Sequence, residues 1–175
     1  MVSEVVTKSS DLEEAIVQVM EELAKKFGIL QAFLTVLNRN SSKIFIEAAY
    51  GLTQEQKERG EYKLGEGIIG EVVRTGEAVI VPHISDEPRY LNKTKSITKI
   101  EDEDSFICIP IKAKNQIIGT LSVMLKYYSN RSFQNELEFF TIMASMFARL
   151  VRSRQDKIEE LEKLYYRKLR EQGLY

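Results

Sequence analysis

Apolar residues near the start of the chain recur at three- and four-residue spacing, which is typical of a helix that packs one face on a core. This stripe begins at Leu12 and ends at Phe27. Ser10 and Glu13 match a capping box, in which each side chain accepts a hydrogen bond from a free backbone N–H. Gly28 suits the left-handed cap that ends many helices. The pattern therefore predicts a helix that starts after Ser10 and ends before Gly28.

Shorter runs rich in β-branched and aromatic residues occupy the middle of the chain, and several alternate apolar with polar positions, as half-buried strands do. They predict six strands: 31–37, 43–50, 62–64, 78–81, 105–111 and 116–125. Short helices are predicted at 53–59 and after the glycine-rich segment 65–70, and a long polar loop spans 83–104. This order of elements indicates an α+β fold with one mixed or antiparallel sheet covered by helices.

A second long helix is predicted from Phe133, capped by Ser132, because no glycine or proline follows until Gly173. At 1.5 Å per residue it reaches about 60 Å, which exceeds the diameter of a small domain, so part of it must extend beyond the core. Approximate heptad spacing favours a partner helix and hence a homodimer, with a solitary helix that frays at its end as the alternative. The residues predicted to form this interface are Phe147, Leu150, Val151, Ile158, Leu161 and Tyr165.

The composition narrows the classes of function. The chain has 175 residues, 43% of them hydrophobic, and its 25 basic and 26 acidic side chains give a net charge of -1. It lacks the positive field that nucleic-acid binding needs, and one cysteine with one histidine cannot form an internal disulfide or a zinc site. No phosphate loop, nucleophile elbow, His-Glu-x-x-His motif, secretory signal or membrane-spanning run occurs. We expect a cytoplasmic, non-enzymatic protein without a metal or cofactor.

Several residues are candidates for binding. The segment 65–70 opens a helix, for which tight helix entry is the favoured role and small-anion binding the alternative. Arg89 and Tyr90 offer a planar cation and a hydroxyl suited to a carboxylate, although the pair equally suits a solvated loop. His83 follows a strand end, where it either contacts a ligand or is structural or exposed. Cys108 lies in mid-strand, where a buried, inert thiol is expected rather than a nucleophile assisted by His83.

Four segments in order resemble the GAF domain, a sensory module. They read Gly-Glu-Gly-Ile-Ile-Gly-Glu-Val-Val at 65–73, Thr-Gly-Glu-Ala-Val-Ile-Val-Pro at 75–82, Asp-Glu-Pro-Arg-Tyr-Leu-Asn at 86–92, and Ser-Phe-Ile-Cys-Ile-Pro-Ile at 105–111 followed by Ile-Gly-Thr-Leu-Ser-Val at 118–123. The resemblance covers nearly everything from Ser10 to Arg152. The sequences of these segments are most similar to the N-terminal GAF domain of NifA-type activators, which regulate transcription by sigma-54 RNA polymerase.

This resemblance implies a central antiparallel six-stranded sheet, flanking helices that dimerise, and a pocket for a small effector such as a 2-oxo acid. It implies a tail at residues 1–9, a sensory domain at 10–152 and a signalling helix at 153–175 that leads to an AAA+ ATPase. The AAA+ and DNA-binding domains are absent from this chain. By position in that fold, the candidate ligand contacts are Ile68, Val72, Val81, His83, Arg89, Tyr90, Phe106 and Cys108, with Arg89 expected to bind a carboxylate.

The leading hypothesis is a dimeric regulatory GAF domain that binds a small metabolite, such as a small acid, and signals through its helices to the AAA+ ATPase. The first alternative is a protein-interaction domain with no small-molecule ligand, whose helices receive a partner such as a regulatory protein. The second alternative is an enzyme that uses Cys108. The residues leave the identity of the ligand and the sign of regulation open.

Overall fold

The structure, a computed structural model, describes residues 2–128 and 132–174. In these residues it contains four α-helices, six strands and a short 3₁₀ helix at Ile84–Asp86. In chain order the elements are α1 (Val2–Phe27), β1 (Ile29–Asn38), β2 (Lys43–Tyr50), α2 (Gln54–Arg59), β3 (Glu61–Lys63), α3 (Gly67–Thr75), β4 (Val79–Val81), β5 (Asp104–Ala113), β6 (Gln116–Lys126) and α4 (Gln134–Glu171).

All six strands join one antiparallel sheet in the order β3-β2-β1-β6-β5-β4. The predicted α+β class and the six-stranded antiparallel sheet are therefore confirmed. The hairpin between β5 and β6 turns through Lys114 and Asn115, whose φ angles are 47° and 61°. Two left-handed residues in succession match the twist of the flanking strands, which is why such turns join adjacent antiparallel strands. The sequence of this turn thus fixes the register of the longest strand pair.

Alternation of side chains along β5 separates two hydrophobic clusters, one on each face of the sheet. Ile107, Ile109 and Ile111 belong to the cluster on the face that α1 and α4 cover. Phe106 and Cys108 belong to the cluster on the opposite face, beneath α3 and parts of the loop that follows β4. All five side chains are buried. One face is therefore closed by two long helices, and the other by a short helix and a loop.

The starts of the two long helices differ from the sequence prediction. α1 begins at Val2 and continues through the predicted cap at Ser10, because no glycine or proline interrupts this stretch. α4 begins at Gln134 with Phe133 as its N-cap. Ser132 lies one residue earlier, where its hydroxyl accepts a hydrogen bond from the Gln134 N–H at 3.3 Å. The predicted serine thus assists the helix start from outside the cap position.

The two ends of the chain are helical well beyond the sheet. Residues 2–9, which the domain prediction assigns to a tail, are part of α1, and residue 1 lies outside the described residues. α4 continues without interruption to Glu171, so the predicted signalling segment and the part that packs on the sheet form one helix. In the described part of the chain, no helix combines the length and the apolar character that a membrane crossing requires.

We predict that Gly119→Ala strongly destabilises the sheet. A Cβ at this position of β6 would lie 1.8 Å from the backbone carbonyl oxygen of Thr35 in β1, and side-chain movement cannot relieve a clash with backbone. We expect the free energy of unfolding to fall by at least about 3 kcal/mol in urea denaturation.

Gly28→Ala is the matched control, because its new Cβ would meet nothing within 4 Å and only its φ of +68° is unfavourable. That change should cost about 1 kcal/mol. Equal losses for the two variants would contradict the proposed backbone clash.

Candidate functional site

A small cavity lies between the α3 face of the sheet and the loop of residues 82–103 that joins β4 to β5. Its volume is about 20 Å³, which is room for roughly one water molecule. Strand, helix and loop residues all contribute to its wall: Phe33, Tyr62, Ile68, Ile69, Arg89, Tyr90, Leu91, Asn92, Thr94 and Phe106. Any ligand larger than about one water molecule therefore requires the loop or the lining side chains to move.

Aromatic rings form much of the wall. The rings of Phe33 on β1 and Phe106 on β5 lie 6.3 Å apart between centroids. Tyr90, from the loop, meets Phe106 edge to face at 5.1 Å, a favoured arrangement for aromatic pairs. Burial raises the pKa of Tyr90 well above its ordinary value, and the charge of Asp104 adds to this effect. The phenol therefore stays neutral at physiological pH.

Polar contacts with β3 and α2 hold the loop closed. Lys93 Nζ lies 2.6 Å from the Glu66 carboxylate and donates a hydrogen bond to the Glu61 carbonyl oxygen at 2.9 Å. Arg59 Nε donates to the carbonyl oxygen of Thr94 at 3.1 Å. The Lys93 hydrogen bond lowers the pKa of Glu66, with help from the backbone N–H of Lys63. These polar contacts are partly exposed, so each contributes little to stability.

The N-terminus of α3 is already occupied by the same loop. The Ile68 N–H donates to the Arg89 carbonyl oxygen at 3.2 Å. Leu91 packs over Gly67, where a Cβ would lie 2.8 Å from the leucine Cδ1 and where φ is +64°. Gly67 is therefore required both for its left-handed backbone and for the close approach of the loop. Tight helix entry explains the glycine-rich segment, and the loop stands where a small anion would bind.

Arg89 is fully engaged with carboxylates of its own chain. Its Nε and one terminal nitrogen donate to the two oxygens of Glu87 at 2.8 and 2.9 Å. The other terminal nitrogen donates to both oxygens of Glu71 at 3.0 Å. These hydrogen bonds lower the pKa of Glu87 and raise that of Arg89. A ligand carboxylate would have to displace one of the two glutamates.

His83 lies outside the cavity and connects the loop to α4. Its side chain is exposed, and Nδ1 donates a hydrogen bond to the carbonyl oxygen of Asp102 at 2.7 Å. The imidazole meets the Tyr127 ring edge to face at 5.1 Å, and Tyr127 stacks on Phe133, the N-cap of α4, at 5.4 Å. We call His83, Tyr127 and Phe133 the aromatic bridge. It joins the first residues of the loop to the start of α4.

Cys108 is fully buried within a row of hydroxyl side chains that crosses the sheet. The Ser122 hydroxyl donates to the sulfur at 3.5 Å, and the hydroxyls of Thr35 and Thr120 share a hydrogen bond of 2.7 Å. Burial raises the pKa of the Cys108 thiol to about 12, against the smaller opposing effect of Ser122 and Thr120. The thiol is therefore protonated at neutral pH and unsuited to nucleophilic attack.

The structure gathers half of the predicted ligand contacts at the cavity. Ile68, Arg89, Tyr90 and Phe106 line its wall. Val72, Val81 and Cys108 lie in the buried cluster on the same face of the sheet but not in the wall, and His83 lies outside. Sequence reasoning missed six lining residues: Phe33, Tyr62, Ile69, Leu91, Asn92 and Thr94. Ile69, Leu91 and Asn92 stand within the quoted motifs, so the motifs themselves offered a signal for these three.

The residues predicted for the helical interface divide between two faces of α4. Phe147 and Val151 are buried in the core against the sheet, so they are not available to a partner helix. Leu150, Ile158 and Tyr165 are exposed, and Leu161 is half-buried. Two apolar side chains on the part of α4 that lies over the sheet are more exposed than Leu150 and were not among the residues predicted for the interface. Ile142 is 60% exposed and Met146 is 55% exposed.

The cavity region offers no cluster of metal ligands. Among residues 2–128 and 132–174, no three histidine, cysteine, aspartate or glutamate side chains are placed to hold a metal ion.

The chain is similar to one family of known proteins. A family model described as GAF domain matches residues 9–152. Nitrogen fixation protein VnfA of Azotobacter vinelandii is 35% identical over 151 residues, which cover 85% of this chain and 29% of VnfA. The Nif-specific regulatory protein of Herbaspirillum seropedicae is 27% identical over 165 residues, covering 93% of this chain and 30% of that protein. The chain thus spans less than a third of the length of these relatives.

A solved structure has the same fold. The GAF domain of nlh2 from A. aeolicus, in an inactive state, superposes with a TM-score of 0.72 at 20% sequence identity. The match covers 86% of this chain and 95% of that one.

We predict that Cys108 does not react with iodoacetamide in the folded protein. The side chain is fully buried and its pKa is about 12, so neither access nor thiolate is present at pH 7.5. Mass spectrometry should find no adduct after an hour, and complete alkylation when the same reaction is run in guanidinium chloride. Rapid labelling of the native protein would argue for a reactive thiol and reopen the enzymatic alternative.

Proposed function

Because this chain belongs to the GAF domain family, we propose that it is the regulatory GAF domain of a sigma-54-dependent activator similar to the Nif regulators. In this proposal a small molecule binds in the cavity beside the sheet and moves the loop of residues 82–103. The movement changes the position of α4, which leads to an AAA+ ATPase domain in the full-length protein. The names of the similar regulators support a regulatory rather than an enzymatic role.

The aromatic bridge is the observation that carries this proposal. It links the loop to α4 through rings, with His83 at the start of the loop and Phe133 at the start of the helix. The far end of the loop is tied to the same bridge, because the Tyr127 N–H donates to the Glu103 carbonyl oxygen at 2.6 Å and His83 binds Asp102. Both ends of the loop therefore contact the aromatic bridge, whose last member, Phe133, is the N-cap of α4.

The mechanism is a shift between two positions of α4. A ligand changes their ratio only if it binds one position more tightly than the other. A tenfold difference in affinity corresponds to about 1.4 kcal/mol. Two or three partly exposed polar contacts of the loop together contribute a free energy of about this size. Ligand contacts that replace them are therefore sufficient to change the ratio of the two positions.

The exposed face of α4 supports assembly into a homodimer. Ile142, Met146 and Leu150 follow one another at four-residue spacing and form a continuous apolar stripe where the helix lies over the sheet. Beyond the sheet, Ile158 and Tyr165 continue the apolar positions at a spacing of seven residues. In a dimer, the two copies of α4 would run side by side toward the two ATPase domains.

A protein-interaction domain is the second candidate function. The cavity holds about one water molecule, and Tyr90 and Leu91 fill the space that a metabolite would need. In this alternative the loop stays closed, and a regulatory protein acts on the exposed faces of the helices.

Ligand binding distinguishes the two candidates. We expect at least one compound from a panel of 2-oxoglutarate, other small acids, nucleotides and uncharged aromatic amides to give heat in calorimetry and to raise the melting temperature. The same compound should change hydrogen exchange at residues 133–140, because the loop and α4 are joined. The absence of heat from the whole panel would favour the protein-interaction domain.

His83→Ala tests the bridge in the same assay. We expect ligand affinity to change by less than about threefold, because His83 lies outside the cavity, while the change in exchange at residues 133–140 is lost. Lys99→Ala, at an exposed position of the same loop, is the matched control and should behave like the natural sequence. An unchanged exchange response in His83→Ala would exclude the bridge as the route.

We predict that the chain is a dimer and that Met146→Glu converts it to a monomer. A carboxylate at this position would be buried without a partner in the interface, which opposes association. Light scattering at high micromolar concentration should give twice the chain mass for the natural sequence and the single mass for the variant.

Ser145→Glu adds the same charge one residue earlier, about 100° around the helix, and should remain dimeric. A monomeric natural chain would contradict the dimer, and a dimeric Met146→Glu variant would place the interface elsewhere.

A further inference from the structure

The walls of the cavity are suited to a flat, apolar group. Phe33, Tyr62 and Phe106 contribute rings from the sheet, Tyr90 contributes a ring from the loop, and Ile68 adds an aliphatic surface. Aromatic side chains around a cavity favour another ring, because edge-to-face and offset contacts add to the burial of apolar area. An aliphatic ligand would gain free energy only from the burial of its apolar area, without the ring contacts.

The charges around the cavity are already paired. Arg89 is the only cation among the described lining residues, and Glu71 and Glu87 accept four hydrogen bonds from it. Lys93 lies near the cavity, with its Nζ 5.4 Å from the Tyr62 ring, and it is bound to Glu66. An anionic ligand would lose its hydration without gaining a free positive partner, which is costly.

The wall of the cavity includes the hydroxyl of Tyr62. Tyr62 is 6% exposed, and its hydroxyl makes no hydrogen bond within the described part of the chain. Burial raises its pKa well above the ordinary value, so the hydroxyl keeps its proton and is a donor. A ligand that carries an acceptor would give this donor a hydrogen bond inside the cavity, which an apolar ligand of the same shape would not.

Resting on the proposed function, we propose that the cavity binds an uncharged aromatic ligand that carries a hydrogen-bond acceptor for the Tyr62 hydroxyl. The ring of Tyr90 occupies the place of the ligand ring in the closed state. It comes from the loop, lies edge to face on Phe106, and leaves with the loop when the ligand enters. The ligand therefore exchanges one ring for another, and the apolar contacts of Phe106 are kept.

Three compounds of similar size separate the parts of this proposal. Benzamide has an uncharged ring and an acceptor, benzoate has the same shape with a negative charge, and toluene has the ring without the acceptor. We expect calorimetry on the whole chain to rank benzamide first, with benzoate at least tenfold weaker. Toluene should be weaker than benzamide by about 3- to 10-fold, the usual effect of one hydrogen bond.

Two variants locate the binding. Tyr90→Ala removes the internal ring, so benzamide should bind more tightly and raise the melting temperature of this variant more than that of the natural chain. Tyr62→Phe removes only the hydroxyl, and we expect it to weaken benzamide to the level of toluene while leaving toluene unchanged. Because the phenylalanine ring keeps the packing of the wall, this variant should fold even if Tyr90→Ala does not.

The outcomes separate this inference from the proposed function. If benzoate or the small acids bind more tightly than benzamide, or if Tyr62→Phe leaves benzamide binding unchanged, the ligand class is wrong and the regulatory proposal stands. If neither the natural chain nor Tyr90→Ala binds any aromatic or acidic compound, both the ligand class and the small-molecule part of the proposed function fail. Preference for benzamide that depends on the Tyr62 hydroxyl supports the inference.

Discussion

The structure depends on the burial of both faces of its central sheet. β6 is buried at every position from Ile118 to Leu125, so neither face of this strand meets solvent. A strand of this kind must have two covers, and the chain supplies two different ones. Long helices close one face with a large apolar area, whereas a short helix and a loop close the other. The cavity lined by aromatic rings lies on the second face.

The difference between the covers has a physical origin in the kind of contact that each uses. The cluster under α1 and α4 is built from close-packed apolar side chains such as Phe140 and Phe147, and separating them would expose a large apolar area. The loop is held by Lys93, Arg59 and Arg89, whose partners are carbonyl and carboxylate oxygens near solvent. Water replaces such contacts at small cost. The polar contacts of the loop therefore add less stability than the packing of α1 and α4 does.

The sequence alone predicts where the strands lie, but it does not predict which residues come together at the cavity. Alternating apolar residues and polar turns locate the hairpins, because these signals are local. The place of Tyr62 depends on β3 pairing with β2 at the edge of the sheet, and the partners of Arg89 depend on how the loop folds onto α3. No local pattern contains that information. The early start of α1 was missed for the opposite reason, because a good local cap signal at Ser10 was overridden by an uninterrupted helix.

The uninterrupted length of α4 turns small changes at the sheet into large ones at a distance. Its last side chain buried in the sheet cluster is Val151, and 20 residues follow before the helix ends at Glu171. This free part is about 30 Å long. For a rigid rod of that length, each degree of tilt about Val151 displaces the far end by about 0.5 Å. Any tilt of α4 about Val151 is therefore largest at Glu171, where the helix ends.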